Sequence, residues 1–152
     1  MKKDENLKEK FKQALISTVR AISEDFENEK NLEKNNSSKN YNFFELDNLN
    51  NKSDFIKFRA ETDSEALKRK FSNKQVYQKN LPTKPTLKAL YNVSEKIRYE
   101  KLGTNMLKGI SKNLIDNYSY KINLKRKDQL KSKEDTTITE AFEIYMLKNF
   151  FN

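Results

Sequence analysis

Apolar residues near the N-terminus recur at the three- and four-residue intervals of an amphipathic helix. The stripe contains Leu7, Phe11, Ala14, Leu15, Thr18 and Ile22. It predicts a helix over about residues 7–24. Asn6 and Glu9 have the spacing of a capping box and mark the start of this helix.

The pattern is lost after this helix and returns near Phe55. Residues 27–54 are rich in Asn, Ser and Lys, which predicts a long, mobile polar loop. Within it, the island YNFFEL at 41–46 is a candidate to dock on the core as a short extended piece. A second stripe, Ile56, Ala60, Leu67 and Phe71, predicts a helix over 55–71 that is capped by Ser53 or Asp54.

The second half of the chain shows three further helical patterns. A short helical piece through VYQKNL ends at Pro82, and Pro85 opens a helix that extends to about Leu102. Leu107, Ile110, Leu114 and Tyr118 form the stripe of a helix over about 104–118, followed by a charged connector at 121–135. The last helix carries the stripe Ile138, Ala141, Phe142, Tyr145, Met146 and Asn149, after a capping box formed by Thr137 and Glu140.

Composition agrees with an all-α fold. The 152 residues include two glycines and two prolines, too few for the frequent turns of an all-β protein. Apolar residues make up 35% of the chain and charged residues another 35%, which indicates a modest core. We therefore predict a single all-α domain of about five helices, with a long polar loop after the first.

The chain contains neither cysteine nor histidine. Thiolate zinc sites, disulfides and the commonest general base are thereby excluded. We therefore predict no catalytic, metal-binding or cofactor-binding residues in this chain. No apolar segment has the length of a membrane span and no signal peptide is recognisable, so a cytoplasmic location is expected.

A net charge of +9 raises the alternative of a basic helical module that binds nucleic acid. Most of the basic residues are lysines, and asparagine is also abundant. Codons rich in A and T encode both amino acids, so nucleotide bias alone can produce this charge. Nucleic acid is therefore the less favoured partner.

The two glycines, Gly103 and Gly109, lie six residues apart in a helical pattern. Gly103 follows the last apolar residue of one predicted helix, which favours a left-handed residue that closes it. Glycine inside a helix costs about 1 kcal/mol relative to alanine, so Gly109 predicts close packing of a second helix. Neither glycine has the spacing of a phosphate-binding loop.

Two groups of charged residues are candidates for an ion-pair network or a partner interface. Asp63 lies on the apolar face of its helix, where it can pair with Arg59 or, if buried, with Arg20 or Arg98. Glu95, Arg98 and Glu100 precede the predicted glycine corner, and the first two have the spacing of a helical ion pair.

Several of these residues fall within blocks that resemble the CobT subunit of aerobic cobaltochelatase. The stretch EKIRYEKLGTNMLKGISKNL carries the main similarity through Glu95, Arg98, Glu100, Leu102, Gly103, Met106, Gly109, Asn113 and Leu114. The stretch FKQALISTVRAI contributes Phe11, Lys12, Ala14, Thr18, Arg20, Ala21 and Ile22, and RAETDSEAL contributes Arg59, Asp63, Ala66 and Leu67. The closing TITEAFEIYMLKNFF is also similar, whereas FSNKQVY lacks the His and Asp residues that the family has there.

The resemblance implies a role in cobalamin biosynthesis. The cobaltochelatase, a ligase that forms nitrogen–metal bonds, inserts cobalt into hydrogenobyrinic acid a,c-diamide and uses ATP and Mg. The resemblance implies that the partners of this chain are an AAA+ ATPase subunit and a large corrin-binding subunit. It also allows a homo-oligomer. Members of the family continue into a von Willebrand A-type domain with a D-x-S-x-S metal site. This motif is absent here, so we expect only the N-terminal helical domain, acting as a scaffold.

Overall fold

A computed structural model describes residues 2–23, 51–128 and 136–151. Within these ranges the chain forms six helices: α1 (Lys2–Ser23), α2 (Lys52–Phe71), α3 (Lys74–Asn80), α4 (Pro85–Met106), α5 (Lys108–Asp128) and α6 (Ile138–Phe151). The all-α class is confirmed. The helix count exceeds the predicted five because the short piece before Pro82 is a helix of its own, capped by the Asn73 side chain.

The chain divides into two compact units, Met1–Lys70 and Phe71–Asn152. The first unit contains α1 and most of α2. Its buried apolar residues are Leu15, Val19, Ala60, Ala66 and Leu67. The rings of Phe11 and Phe55 meet edge to face with centroids 5.0 Å apart and so link the two helices.

The second unit is built around α4, against which both α5 and α6 pack. Its buried apolar residues are Ile97, Tyr99, Ile110, Leu114, Tyr118, Leu147 and Phe151. The rings of Tyr118 and Phe151 lie 5.4 Å apart between α5 and α6. Ile110, Leu114 and Tyr118 come from the stripe that predicted this helix, so that pattern identified its buried face.

The predicted helix caps have mixed outcomes. The Thr137 hydroxyl accepts a hydrogen bond from the Glu140 N–H at 3.3 Å, which confirms the cap of α6. The predicted box at Asn6 and Glu9 is wrong, because α1 already begins at Lys2 and Glu9 instead accepts a bond from Gln13. The predicted cap of α2 at Ser53 or Asp54 is wrong, because the helix begins at Lys52 and both residues lie inside it. The Asp54 carboxylate instead accepts a hydrogen bond from the backbone N–H of Asn51, one residue outside the helix, at 3.0 Å.

Two predicted loops are shorter than expected where the structure describes them. Residues 121–128, assigned to the charged connector, continue α5 to Asp128. Lysine and arginine favour helix, which accounts for the extension. The helix α2 likewise begins at Lys52, inside the predicted polar loop. The remainder of both segments, including the island at 41–46, lies outside the described residues.

The predicted glycine corner is displaced by four residues. Helix α4 passes through Gly103 and ends at Met106, and Leu107, in extended conformation, separates it from α5. The Leu107 N–H donates to the Gly103 carbonyl at 2.9 Å, while the Leu107 carbonyl accepts from Ser111 at 3.1 Å. A left-handed residue is therefore not needed to end α4, and Gly103 is a buried residue within the helix.

Gly109 does not mark a close helix contact. It is an exposed residue in the first turn of α5, and a Cβ placed on it would meet nothing within 4 Å. The prediction of tight packing at this glycine is wrong, because the position is open rather than crowded. None of the helices in the described ranges combines the length and apolar character required to cross a membrane.

Candidate functional site

The predicted ion pair between Glu95 and Arg98 is present on α4. The Arg98 Nε and Nη2 atoms donate to the two carboxylate oxygens of Glu95, each at 3.0 Å. The same Nη2 also donates to the backbone carbonyl of Phe71 at 3.0 Å. The hydrogen bond with Glu95 raises the pKa of Arg98, so the guanidinium remains charged. Its bond to the Phe71 carbonyl connects α4 to the first residue of the second unit.

Glu100 occupies a different environment from this pair. Its side chain is fully buried, and one carboxylate oxygen accepts a short hydrogen bond from the Tyr118 hydroxyl on α5. Burial and the nearby Glu100 carboxylate raise the pKa of Tyr118 well above its ordinary value. Tyr118 therefore keeps its proton near neutral pH and donates a hydrogen bond to Glu100.

Helix geometry explains why the predicted group separates. Each residue turns the helix by about 100°, so Arg98 and Glu100 point to nearly opposite sides of α4. Glu95 and Arg98, three residues apart, share the exposed side. The three charged residues were grouped because they are close in sequence. In the structure, Glu95 and Arg98 form an exposed ion pair, whereas Glu100 forms a buried hydrogen bond with Tyr118.

Lys96 links the buried pair to α6. Its ammonium lies 5.4 Å from the centroid of the Tyr118 ring and 3.9 Å from the Glu143 carboxylate. A cation over an aromatic face and a partly buried ion pair each contribute modestly to stability. Together with the Tyr118–Phe151 contact, they join all three long helices of the second unit.

The other predicted group lies in the first unit. Asp63 is buried on α2 with 4% of its surface exposed, which selects the buried one of the two alternatives left open by its place on the apolar face. It takes part in an electrostatic or hydrogen-bonding interaction, as does Arg20 on α1. Arg59 is exposed on α2. A role of these three residues in a partner interface stays a prediction.

A groove lies between α4 and α6, with a volume of about 280 Å³. Ile97 and Leu102 of α4 and Met146 and Phe150 of α6 form its apolar surface, and Arg98 and Lys101 supply its cations. We call it the α4/α6 groove. The Lys101 ammonium donates to the Phe150 carbonyl at 2.8 Å and lies 5.9 Å from the Phe151 ring centroid.

The groove residues on α6 were not among the predicted site residues. A usable signal was nevertheless present, because α6 is apolar around most of its circumference. Such a helix can bury only part of its apolar surface against one neighbour. In the part of the chain that the structure describes, no group of three or more acidic side chains is placed to hold a metal ion.

Comparison with known families identifies the chain. The family model described as "Cobalamin biosynthesis protein CobT" matches residues 5–149, which takes in nearly the whole of both units. No curated protein matches the chain significantly. No solved structure does so either. Because the family model spans far more than half of the sequence, this chain belongs to the CobT family of cobalamin biosynthesis proteins.

Proposed function

We propose that this chain is a non-catalytic subunit of the ATP-dependent cobaltochelatase, in which it acts as a scaffold for the AAA+ ATPase subunit. The enzyme's substrates are cobalt and hydrogenobyrinic acid a,c-diamide. The observation that carries the proposal is the family match over residues 5–149. In this arrangement the ATPase hydrolyses ATP, the large subunit holds the corrin, and this chain connects them.

A scaffold has to transmit movement through elements that keep their shape. Helix α4 has this property, because Arg98 fixes it to the Phe71 carbonyl and Lys96 connects it to Glu143 of α6. The buried Glu100–Tyr118 hydrogen bond fixes it to α5. These contacts support a second unit that moves as one body when a partner pulls on α4.

The test is complex formation with the ATPase subunit. The chain and the AAA+ subunit are mixed with a non-hydrolysable ATP analogue at near-physiological salt and separated by size exclusion with light scattering. We expect one peak with the mass of a mixed assembly. Two separate peaks, with the ATPase shown to be folded and loaded with nucleotide, would contradict the scaffold function. Addition of the large subunit then tests whether cobalt insertion requires this chain.

The net charge of +9 supports nucleic-acid binding as a second candidate. Anisotropy of labelled single- and double-stranded oligonucleotides separates the two functions. Binding through phosphates loses affinity linearly on a log–log plot against salt, with a slope of about −0.9 per duplex phosphate neutralised. The scaffold function predicts weak oligonucleotide binding together with an ATPase complex that persists at the same salt concentration.

A further inference from the structure

The apolar stripe that predicted α6 is not its buried side. Ile138 is 66% exposed and Tyr145 is 63% exposed, although both belong to the predicted stripe. The buried residues of this helix are Leu147 and Phe151. Nine of its 14 residues are apolar, and packing on α4 and α5 leaves Ile138, Tyr145 and Phe150 among them exposed. A helix that is apolar nearly all round is usually buried nearly all round.

Exposed apolar residues of α6 and α4 also line the α4/α6 groove. Phe150 and Leu102 line the groove from opposite helices, and each is 41% exposed. Met106 and Leu107, 61% and 43% exposed, follow Leu102 along the chain at the end of α4. The apolar surface therefore extends from the groove to the corner between α4 and α5, a shape suited to a helix rather than to a compact ligand.

The chemistry of the groove favours protein side chains over a small polar molecule. Its volume of about 280 Å³ is at the lower limit for small-molecule sites, which begin at about 300 Å³ and present several converging polar groups. Here the lining is mainly apolar. Apolar anchors spaced by three or four residues along a partner helix would fit such a groove.

Lys101 determines the charge that a partner needs. Arg98 is paired with Glu95, whereas Lys101 contacts a backbone carbonyl and a ring but no carboxylate among the described residues. Among the residues that the structure describes, Lys101 is therefore a groove cation without a carboxylate partner. A second copy of this chain is a poor occupant, because two copies with a net charge of +9 each repel one another.

We propose that the α4/α6 groove is a docking site for an amphipathic helix of a partner protein, with apolar residues seated between Leu102 and Phe150 and a carboxylate paired with Lys101. The proposal defines a surface and the chemistry of its partner. It rests on the proposed function only where the ATPase subunit is used as a probe.

The first experiment measures binding of two designed helical peptides of about 20 residues, a length that supports helix formation in water. Both carry Leu and Phe at positions i, i+4, i+7 and i+11; one has Glu beside this stripe and the other has Lys. Fluorescence anisotropy should show binding of the Glu peptide and at least about tenfold weaker binding of the Lys peptide. Leu102→Glu and Phe150→Glu should each weaken the Glu peptide by about tenfold or more.

Matched variants on α5 control for general effects of charge. Ile115 is 37% exposed and does not line the groove, so Ile115→Glu should leave peptide affinity unchanged. Lys101→Glu should reverse the preference between the two peptides, whereas Lys112→Glu, on the exposed surface of α5, should not. Circular dichroism verifies that each variant keeps its helical content.

Three results would overturn the proposal: equal affinity for the two peptides, equal losses in groove and control variants, or a dimer of this chain that Leu102→Glu dissociates. The ATPase experiment separates this proposal from the proposed function. A mixed assembly that survives Leu102→Glu and Phe150→Glu excludes the groove as the ATPase contact and leaves the scaffold function intact. Groove-dependent peptide binding without a mixed assembly supports the docking site and contradicts the scaffold function.

Discussion

Substitution of Tyr118 by phenylalanine tests the most deeply buried polar contact described in the second unit. Phenylalanine keeps the ring that packs 5.4 Å from Phe151 and removes the hydroxyl that donates to Glu100. Glu100 is fully buried, so water cannot replace the lost donor without rearrangement. The variant therefore isolates the hydrogen bond from the packing of the ring.

We take the Glu100 acceptor as ionised, and the expected cost follows from that charge. Hydrogen bonds to charged groups contribute about 1.5–3 kcal/mol, compared with about 0.5–1.5 kcal/mol for neutral pairs. We expect Tyr118→Phe to lower the free energy of unfolding by about 1.5–3 kcal/mol. For a chain of this size, each 1 kcal/mol lowers Tm by about 2–4 °C, which gives a decrease of about 3–12 °C.

The assay is urea unfolding at pH 7, followed by circular dichroism, with the Glu100→Gln background as a double-mutant cycle. A neutral glutamine should reduce the cost of removing the Tyr118 hydroxyl by about 1 kcal/mol. Tyr120→Phe is the matched control, because Tyr120 is 42% exposed and lies two residues further along α5. Its effect should remain within about 0.5 kcal/mol.

The reasoning is refuted if Tyr118→Phe costs less than about 0.5 kcal/mol, the range of an ordinary surface substitution. It is also refuted if the cost is the same with Glu100 and with glutamine at that position. The first result would mean that the carboxylate is satisfied without Tyr118, and the second that its charge does not strengthen the hydrogen bond.

Four further predictions concern stability. Because the pKa of Tyr118 is raised above 10.0, the unfolded chain releases this proton above about pH 10 while the folded chain keeps it. Wild type should then lose about 1.4 kcal/mol per pH unit more than Tyr118→Phe between pH 10 and 12 in urea titrations. Gly109→Ala should stabilise the protein by up to about 1 kcal/mol in the same assay, since its Cβ meets open space; destabilisation would contradict the described geometry. Arg98→Lys should cost about 0.5–1 kcal/mol, because lysine cannot form the forked pair with Glu95; an unchanged midpoint would mean that the pair contributes nothing. Thr137→Ala should cost about 1 kcal/mol and Thr137→Ser much less, if the observed cap stabilises α6.

Local structure was predicted correctly where a residue with a strong positional preference, such as proline or a capping threonine, lies at the start of its helix. Pro85 occupies the first helical position and Thr137 caps α6, as predicted. In each case the deciding interaction is made within a few residues, which is the range that periodicity and capping rules describe.

Contacts between distant residues account for two of the predictions that were wrong. Gly103 was expected to close a helix in left-handed conformation, because it follows the last apolar residue of the predicted helix, yet it lies buried inside α4. The free energy gained from tertiary packing at such a buried position exceeds the helix-propensity cost of glycine, which is about 1 kcal/mol relative to alanine. Glu100 was grouped with Arg98, but its partner Tyr118 lies 18 residues further along the chain. No rule based on spacing identifies a partner at that distance.

Helix α6 shows why the buried side of an apolar helix is difficult to assign from its own sequence. Two stripes compete: one includes Ile138 and Tyr145, and the other includes Leu147 and Phe151. The second stripe is buried, because its Phe151 ring packs against the Tyr118 ring of α5 and lies beneath the Lys101 ammonium of α4. Both partners belong to other helices, so the sequence of residues 138–151 alone does not show which of the two stripes is buried. Once that choice is made, Ile138 and Tyr145 of the first stripe are left exposed, and the apolar surface available for docking follows from how the core is packed.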